Sequence, residues 1–237
     1  TPLYSSAASD VYKRQPQLGA FYQVFMAPDR KLSALWSSIV ASFQVAAIST
    51  AVNIVAGLPM AFILVRRNLG RFKGLLDALV DIPLTIPTSA LGFSFFLFWG
   101  SKGFNLLGPG FWMIVLVHIG FTYPYIVRPL VAVVEGLDLS MEEAARTLGA
   151  SPLTVFRTII LPSIKQGILA AAIMAFTRSL GETGATIVVM GLSRTVPVLI
   201  VQWVDSLALP AAAFACVVLI AISFVLLFVL RYVLGWK

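Results

Sequence analysis

Apolar residues in this chain come in long runs rather than alternating with polar ones. A membrane-spanning helix needs about 20 apolar residues, within a range of about 17–25. Five stretches reach that scale: 35–65, 75–99, 111–134, 168–190 and 211–234. A transmembrane β-barrel would instead alternate over segments of about ten residues. The pattern therefore predicts an all-α, polytopic bundle of transmembrane helices. Gly57 and Pro59 fall near the end of the first run, Pro83 and Pro87 interrupt the second, and Pro124 and Pro129 lie in the third. The fourth carries polar residues at its centre, and the fifth, preceded by Pro210, is the cleanest. Proline at membrane depth frees carbonyls that neighbouring groups must satisfy. Asp81-Ile82-Pro83 and Ile86-Pro87-Thr88 thus predict either a broken or re-entrant helix lining a cavity or a simple kink, and the pattern leaves both open.

Composition agrees with this reading. The 237 residues are 59% hydrophobic and 11% charged, and mean hydropathy is +0.94. Soluble domains average about 45–50% apolar and about 25% charged. Too few charged side chains are available to coat a soluble globule, which excludes a typical soluble enzyme, a nucleic-acid-binding domain and a disordered tail. Seventeen Lys and Arg against ten Asp and Glu leave a net charge of +7, and the excess sits beside the ends of apolar runs, as cytoplasmic loops do. Arg66, Arg67, Arg71 and Lys73 follow the first run. Arg146, Arg157 and Lys165 lie between the third and fourth, and Arg231 and Lys237 fall around the end of the fifth. With those regions in the cytoplasm the five crossings alternate, and the opposite loops carry only Lys102 and Arg194. The N-terminal part then lies outside, with Arg30 and Lys31 against the rule, a start that would be natural after an earlier helix. Trp99, Trp112, Trp203 and Trp236 fall near segment ends, as interfacial belts do. The single cysteine, Cys216, allows no internal disulfide and reads as a small core residue. No Cys/His cluster points to a metal.

Residues 1–15 are polar and stop abruptly before Pro16. They resemble translated sequencing-adapter read-through and are set aside as a non-native segment. Residues 16–34 are read as an extracytoplasmic lead-in, and 35–237 as the transmembrane domain.

The segment 135–165 is the most informative. Ser140 followed by Glu143 has the form of a capping box. Good helix formers run from Met141 to Leu148, and Gly149 suits a helix stop. Ser151-Pro152 can start a second helix with proline at its first position, which would run to Ile160 before Leu161-Pro162. Two short helices joined by a glycine turn would either insert into a groove of another protein or serve as an interfacial connector. Architecture alone leaves both open. Glu143-Ala144-Ala145, three residues, Gly149, nine residues, Ile159, one residue, Leu161-Pro162 matches in full the EAA motif of ABC importer permeases. The resemblance spans roughly residues 35–236. It is nearest to molybdate/tungstate/sulfate-type permeases through Gly57 to Ala61 with Arg66-Arg67, Asp81-Ile82-Pro83 with Ile86-Pro87, and the stretch from Arg178 to Thr186. It departs at Thr183, where members commonly carry Phe.

The resemblance implies that Glu143, Ala144, Ala145, Gly149, Ile159, Leu161 and Pro162 belong to a coupling loop that docks into a separate ATPase subunit. It implies a second permease copy, forming a homodimer, and an extracytoplasmic substrate-binding protein. The cell (inner) membrane of a prokaryote is the implied location. The chain contains no GxxxxGK[ST] phosphate loop and is read as a transport subunit rather than an enzyme. ATP and Mg²⁺ are assigned to the partner, and no cofactor, metal or nucleic acid to this chain. Thiamine, ferric iron and phosphate permeases share the loop and are the alternative substrate classes. An intramembrane enzyme would need a nucleophile–base pair or paired carboxylates, which the spacing does not offer. A passive channel would need no docking element.

Within the fourth run, Arg178 and Glu182 are placed four apart on one helical face, where they can neutralise each other. Charge at membrane depth usually faces a cavity or a partner, so the pair is either a structural ion pair or part of the translocation path or gate, with Thr183 and Thr186 beside it. Arg128 is read as a snorkelling anchor, and His118 as a packed, hydrogen-bonded residue. Asp77 and Asp81 are read as serving a helix N-cap and dipole.

Overall fold

The computed structural model describes residues 30–233, and every element among them is helical. Helix α1 is Arg30–Arg66, α2 Phe72–Thr85, α3 Thr88–Trp99, α4 Phe111–Glu135 and α5 Leu139–Thr147. A short α6, Pro152–Val155, runs through a π-helical turn, Phe156–Ile160, into α7, Leu161–Leu180. Helices α8, Gly184–Val189, α9, Val196–Asp205, and α10, Leu209–Val233, complete the bundle. Residues 1–15, most of the lead-in, Trp236 and Lys237 lie outside the described residues.

Among the described residues, four helices are long and apolar enough to cross a membrane: Lys31–Arg66, Phe111–Glu135, Pro152–Leu180 and Leu209–Leu226. The pair α2 and α3 is apolar enough only when taken together and bends by 110° at its junction, the geometry of a broken span or a re-entrant loop. A simple kink does not describe a turn of that size. Pro87 is the N-cap of α3, and Ile86 before it is extended (φ −95°, ψ 133°), the conformation that a following proline imposes. The pair still tracks α4. Leu76 and Val80 pack on Val127 and Val131 in its C-terminal half, and Leu91, Phe95 and Trp99 pack with Met113, Val117 and Phe121 in its N-terminal half. Helix α9 occupies a stretch that hydropathy leaves between crossings. Its ten residues are apolar but too few to span.

Helix α4 is the centre of the bundle. Its buried positions run from Met113 to Val134 all around the helix, as expected for a helix surrounded by others. Helix α1 carries a buried stripe of small and polar residues, Ser42, Ala46, Ser49, Asn53, Gly57 and Ala61; Asn53, Gly57 and Ala61 meet α4, and Ser42 accepts from the Val196 N–H of α9. Lipid removes most of the hydrophobic drive between helices, so association relies on close backbone approach and interhelical hydrogen bonds. A Cβ on Gly57 would stand 2.8 Å from Ile126 Cγ2, and one on Gly92 of α3 would stand 2.7 Å from the carbonyl oxygen of Ala185 in α8. Those two glycines set the α1–α4 and α3–α8 distances. Helix α1 has 37 residues, about 55 Å at 1.5 Å per residue, so it exceeds the roughly 30 Å hydrocarbon core.

The fourth apolar run is not one helix. It ends at Leu180, passes through Gly181 to Thr183, and restarts as α8. The second helix of the loop 135–165 also differs from expectation: it does not stop before Leu161-Pro162 but continues into α7. The π turn widens the helix there, with the Leu161 N–H reaching back to the Phe156 carbonyl. That widening accommodates Pro162, which offers no N–H and whose ring would crowd a regular turn.

Candidate functional site

Two regions hold the sequence-nominated residues. The first is α5 and its flanks. Its N-cap is Asp138, whose carboxylate accepts from the Ser140 N–H at 2.9 Å. The anticipated Ser140–Glu143 box is therefore not the cap: the helix starts two residues earlier, and a carboxylate meets the first-turn donors. That hydrogen bond holds the exposed Asp138 carboxyl below the usual carboxylate range. The helix ends in a paired C-terminal motif, with the Ala150 N–H on the Ala145 carbonyl (3.0 Å) and the Gly149 N–H on the Arg146 carbonyl (2.9 Å). Gly149 has φ +83°, the left-handed conformation that this motif needs and that glycine adopts without steric cost. Ser151 then caps α6, accepting from the Thr154 N–H at 3.2 Å, with Pro152 at the first turn.

The motif residues divide by direction. Glu143, Ala144 and Gly149 are exposed, as are Leu161 and Pro162. Ala145 and Ile159 turn inward onto the cluster of Val155, Ile160 and Ile164. Around the outward set, Met141, Leu148 and Leu153 expose large apolar side chains, Leu148 to 89%. Exposed apolar surface bracketed by polar groups marks a contact surface. Glu142 faces inward and pairs with Arg66 of α1 at 3.0 Å.

The second region surrounds the interruption of the fourth run. Arg178 Nη1 lies 2.6 Å from Glu182 Oε2. The pair forms, but Glu182 lies beyond the end of α7 rather than on the same helical face as Arg178. Its other oxygen accepts from the Ala185 N–H at 3.0 Å, meeting a donor of the first turn of α8. Glu182 is thus a bridge across the break. Its side chain is 4% exposed, against 31% for Arg178, so the cation faces the open side and the anion the protein. The Arg178 guanidinium also sits over the Phe121 ring, 5.0 Å from its centroid, a favourable cation–π placement. Thr183 is the half-buried N-cap of α8 and makes no side-chain cap bond. Thr186 is fully buried, its hydroxyl 2.9 Å from His118 Nε2.

His118, 1% exposed, is hydrogen-bonded as expected. Its Nδ1 lies 2.7 Å from Ser179 Oγ, so the one ring pins both sides of the break. The Thr122 hydroxyl donates to the His118 carbonyl at 2.6 Å, and Asn53 of α1 donates to Thr122 Oγ1 at 2.8 Å and to the Ile119 carbonyl at 3.0 Å. A polar chain therefore joins α1, α4, α7 and α8. The α2–α3 break faces the same place: a Cβ on Gly184 would stand 2.9 Å from Thr88 Oγ1 and 3.4 Å from Glu182 Oε1. Two interrupted helices meet there.

One network was not anticipated. Arg128 is not a snorkelling anchor. Its Nε and Nη2 bind Asp81 at 2.8 and 2.6 Å, and its Nη1 binds Asp77 at 2.8 Å. Nor are the aspartates cap or dipole residues, because α2 begins at Phe72 and has no acid in its first turn. The available signal was an Asp pair at i, i+4 and one arginine in an apolar run, which mutual neutralisation would have paired.

The family model described as "Binding-protein-dependent transport system inner membrane component" matches residues 30–235. The sulfate transport system permease protein CysT of Salmonella typhimurium is 35% identical over 209 residues, covering 80% of this chain and 74% of the relative. The molybdenum transport system permease protein ModB of Escherichia coli K12 is 35% identical over 176 residues, 68% of this chain and 76% of the relative. The molybdate/tungstate permease protein WtpB of Pyrococcus furiosus is 31% identical over 198 residues, with 84% and 78% covered. Among solved structures, the inward-facing MetNI methionine ABC transporter aligns with a TM-score of 0.70 at 17% identity, covering 86% of this chain and 96% of that one. A bacterial alginate ABC transporter aligns with a TM-score of 0.70 at 14% identity, covering 98% and 89%. Those two likenesses establish the fold.

Proposed function

This chain belongs to the family of binding-protein-dependent transport system inner membrane components, and on that premise we propose that it is the permease subunit for an oxyanion, namely sulfate, molybdate or tungstate. It is an inner-membrane ABC importer permease; the substrate and the roles below are our reading. The observation that carries the oxyanion class is the set of sulfate, molybdenum and molybdate/tungstate permeases at 31–35% identity. The half-exposed Arg178 beside two meeting helix breaks supports it, because an anion crossing the membrane needs a donor. Broken helices at membrane depth commonly surround transport sites.

In this reading the outward face of α5 with its C-terminal turn, carrying Glu143, Ala144, Leu148 and Gly149, docks into an ATPase subunit that holds ATP and Mg²⁺. Ala145 and Ile159 anchor the loop to the bundle. A second copy completes the pathway, and an external binding protein delivers the substrate. Arg178 attracts the anion while Glu182 offsets part of its charge, so the site stays shallow enough for release. Thr183 lies at the same break, and Thr186 and His118 fix its geometry from behind.

The test is ATP-driven uptake into proteoliposomes by the complete native permease with its cognate ATPase and binding protein. Labelled sulfate, molybdate and tungstate are compared with thiamine, ferric iron and phosphate. Uptake of one of the first three is the expected result. Uptake of only one of the others keeps the importer and overturns the substrate class.

A further inference from the structure

The adjacent glutamates of α5 face opposite ways. Glu143 is exposed, whereas Glu142 is 8% exposed and turns toward α1. Helix α5 does not lie flat on α1. A cavity of about 550 Å³ opens between them, walled by Phe62 and Arg66 of α1, Glu142 and Arg146 of α5, and Phe156 and Ile160 of the π turn. The apolar contacts of α5 are made through Ala145 on the cluster that begins α7, to one side of that space.

Arg66, in the last turn of α1, crosses the gap. Its Nη2 lies 3.0 Å from Glu142 Oε1, while Arg146 Nη2 is held 3.9 Å from Glu142 Oε2. Arg66 Nε is buried without a partner. The contact is thus single-pointed, not the two-pronged fork that an arginine and a carboxylate can form. Such a contact holds two helix ends at a fixed distance and still lets them pivot. Helix α1 then passes any displacement to Asn53, which bonds to Thr122 and the Ile119 carbonyl of α4.

We propose that the Arg66–Glu142 ion pair is the strut that carries movement of the docking helix into α1, with both residues acting as positioning residues. The exposed Glu143 meets the partner; Glu142 transmits. This inference rests on the reading that α5 docks the ATPase. The helix can stay folded without the strut, since its caps are local, so breaking the pair uncouples rather than unfolds.

The experiment uses the full native chain with its ATPase and binding protein, comparing wild type with Arg66→Glu, Glu142→Arg and the double exchange. Each single variant is expected to bind the ATPase and hydrolyse ATP while uptake per ATP falls about tenfold, and the double exchange to recover to within about threefold, as coupled charges do. Arg66→Lys, which keeps a cation at the single contact, is expected to stay near wild type. A distance measurement between spin labels at Asn68 and Thr147, made on the permease alone, should broaden in the single variants and narrow again in the exchange. Wild-type uptake per ATP in both single variants, or an exchange that recovers neither uptake nor the narrow distance, overturns the strut while the docking reading stands. A wild-type chain that fails to bind the ATPase overturns the docking reading and the strut's role with it.

Discussion

The loop 135–165 and the break between α7 and α8 are built by opposite means. The loop is held by neighbours in sequence: Asp138 caps its helix through Ser140, Gly149 closes it, and Ser151 starts the next through Thr154. The break is held by residues far apart in sequence. His118 reaches 61 and 68 positions to Ser179 and Thr186, and Asn53 reaches 69 positions to Thr122. Local caps give a small exposed element a fixed shape that a partner can grip without reorganising the bundle. A network shared by four helices gives an irregular backbone one arrangement that only a movement of those helices can change. The first design suits a handle and the second a gate.

That contrast can be broken at either end. The largest effect is expected at Arg178→Ala, which leaves Glu182 buried without its counter-charge, with the Ala185 N–H still bound to its other oxygen. Removing one partner of a buried pair costs about 3–5 kcal/mol, reduced here because Arg178 is partly exposed. Thermal stability of the purified permease should fall and uptake should be lost, while ATPase association persists. Wild-type uptake at wild-type expression would remove Arg178 from the path. Next is Gly92→Ala. Its methyl meets the Ala185 backbone, not a side chain that can turn away, and overpacking of this kind costs about 1–3 kcal/mol. The same thermal measurement should show a drop of that order, with uptake impaired because α3 and α8 are forced apart.

At the docking end, Gly149→Val places a β-branched residue at φ +83° in open space. Left-handed backbone costs an ordinary residue about 1–2 kcal/mol, so ATPase affinity should fall about tenfold while the melting of the bundle is unchanged. A matching loss of bundle stability would contradict the independence of the two regions. The smallest effect is expected at Asp138. Asparagine can keep the cap and alanine cannot, so Asp138→Asn should retain ATPase affinity where Asp138→Ala loses it a few-fold. The Asp138 carboxyl is held low by its bond to Ser140. Its contribution is therefore full above the ordinary carboxylate pKa and disappears as pH falls through the lowered value. Affinity measured against pH should show that acid-side loss in the wild type and not in Asp138→Asn.

The same contrast sets what could be read in advance. Hydropathy located the first, third and fifth apolar helices, because lipid demands long apolar runs, but it placed the fourth at 168–190 where the long helix is Pro152–Leu180; the glycine and proline signals located α5 and the start of α6. Ser140 misled the cap assignment, since Asp138 two residues earlier was an equally good capping residue and only the backbone conformation chose between them. Continuity from α6 into α7 was hidden because Pro162 reads as a helix boundary, and a π turn carried the helix past it. Arg178 and Glu182 were legible as a pair from their spacing alone. That Glu182 crosses a break, that His118 holds both sides of it, and that Arg128 binds Asp77 and Asp81 all depend on which helices are neighbours. Spacing along one helix carries no record of that.

The most direct test of the account sets ATP hydrolysis beside uptake in proteoliposomes containing the native permease, its ATPase and its binding protein, for Gly149→Val and Arg178→Ala. The account predicts that Gly149→Val lowers hydrolysis and uptake together and in proportion, because the handle is weakened, and that Arg178→Ala keeps hydrolysis and loses uptake, because the handle still grips a gate that no longer works. Parallel loss of both activities in both variants would contradict the division of labour between the two regions.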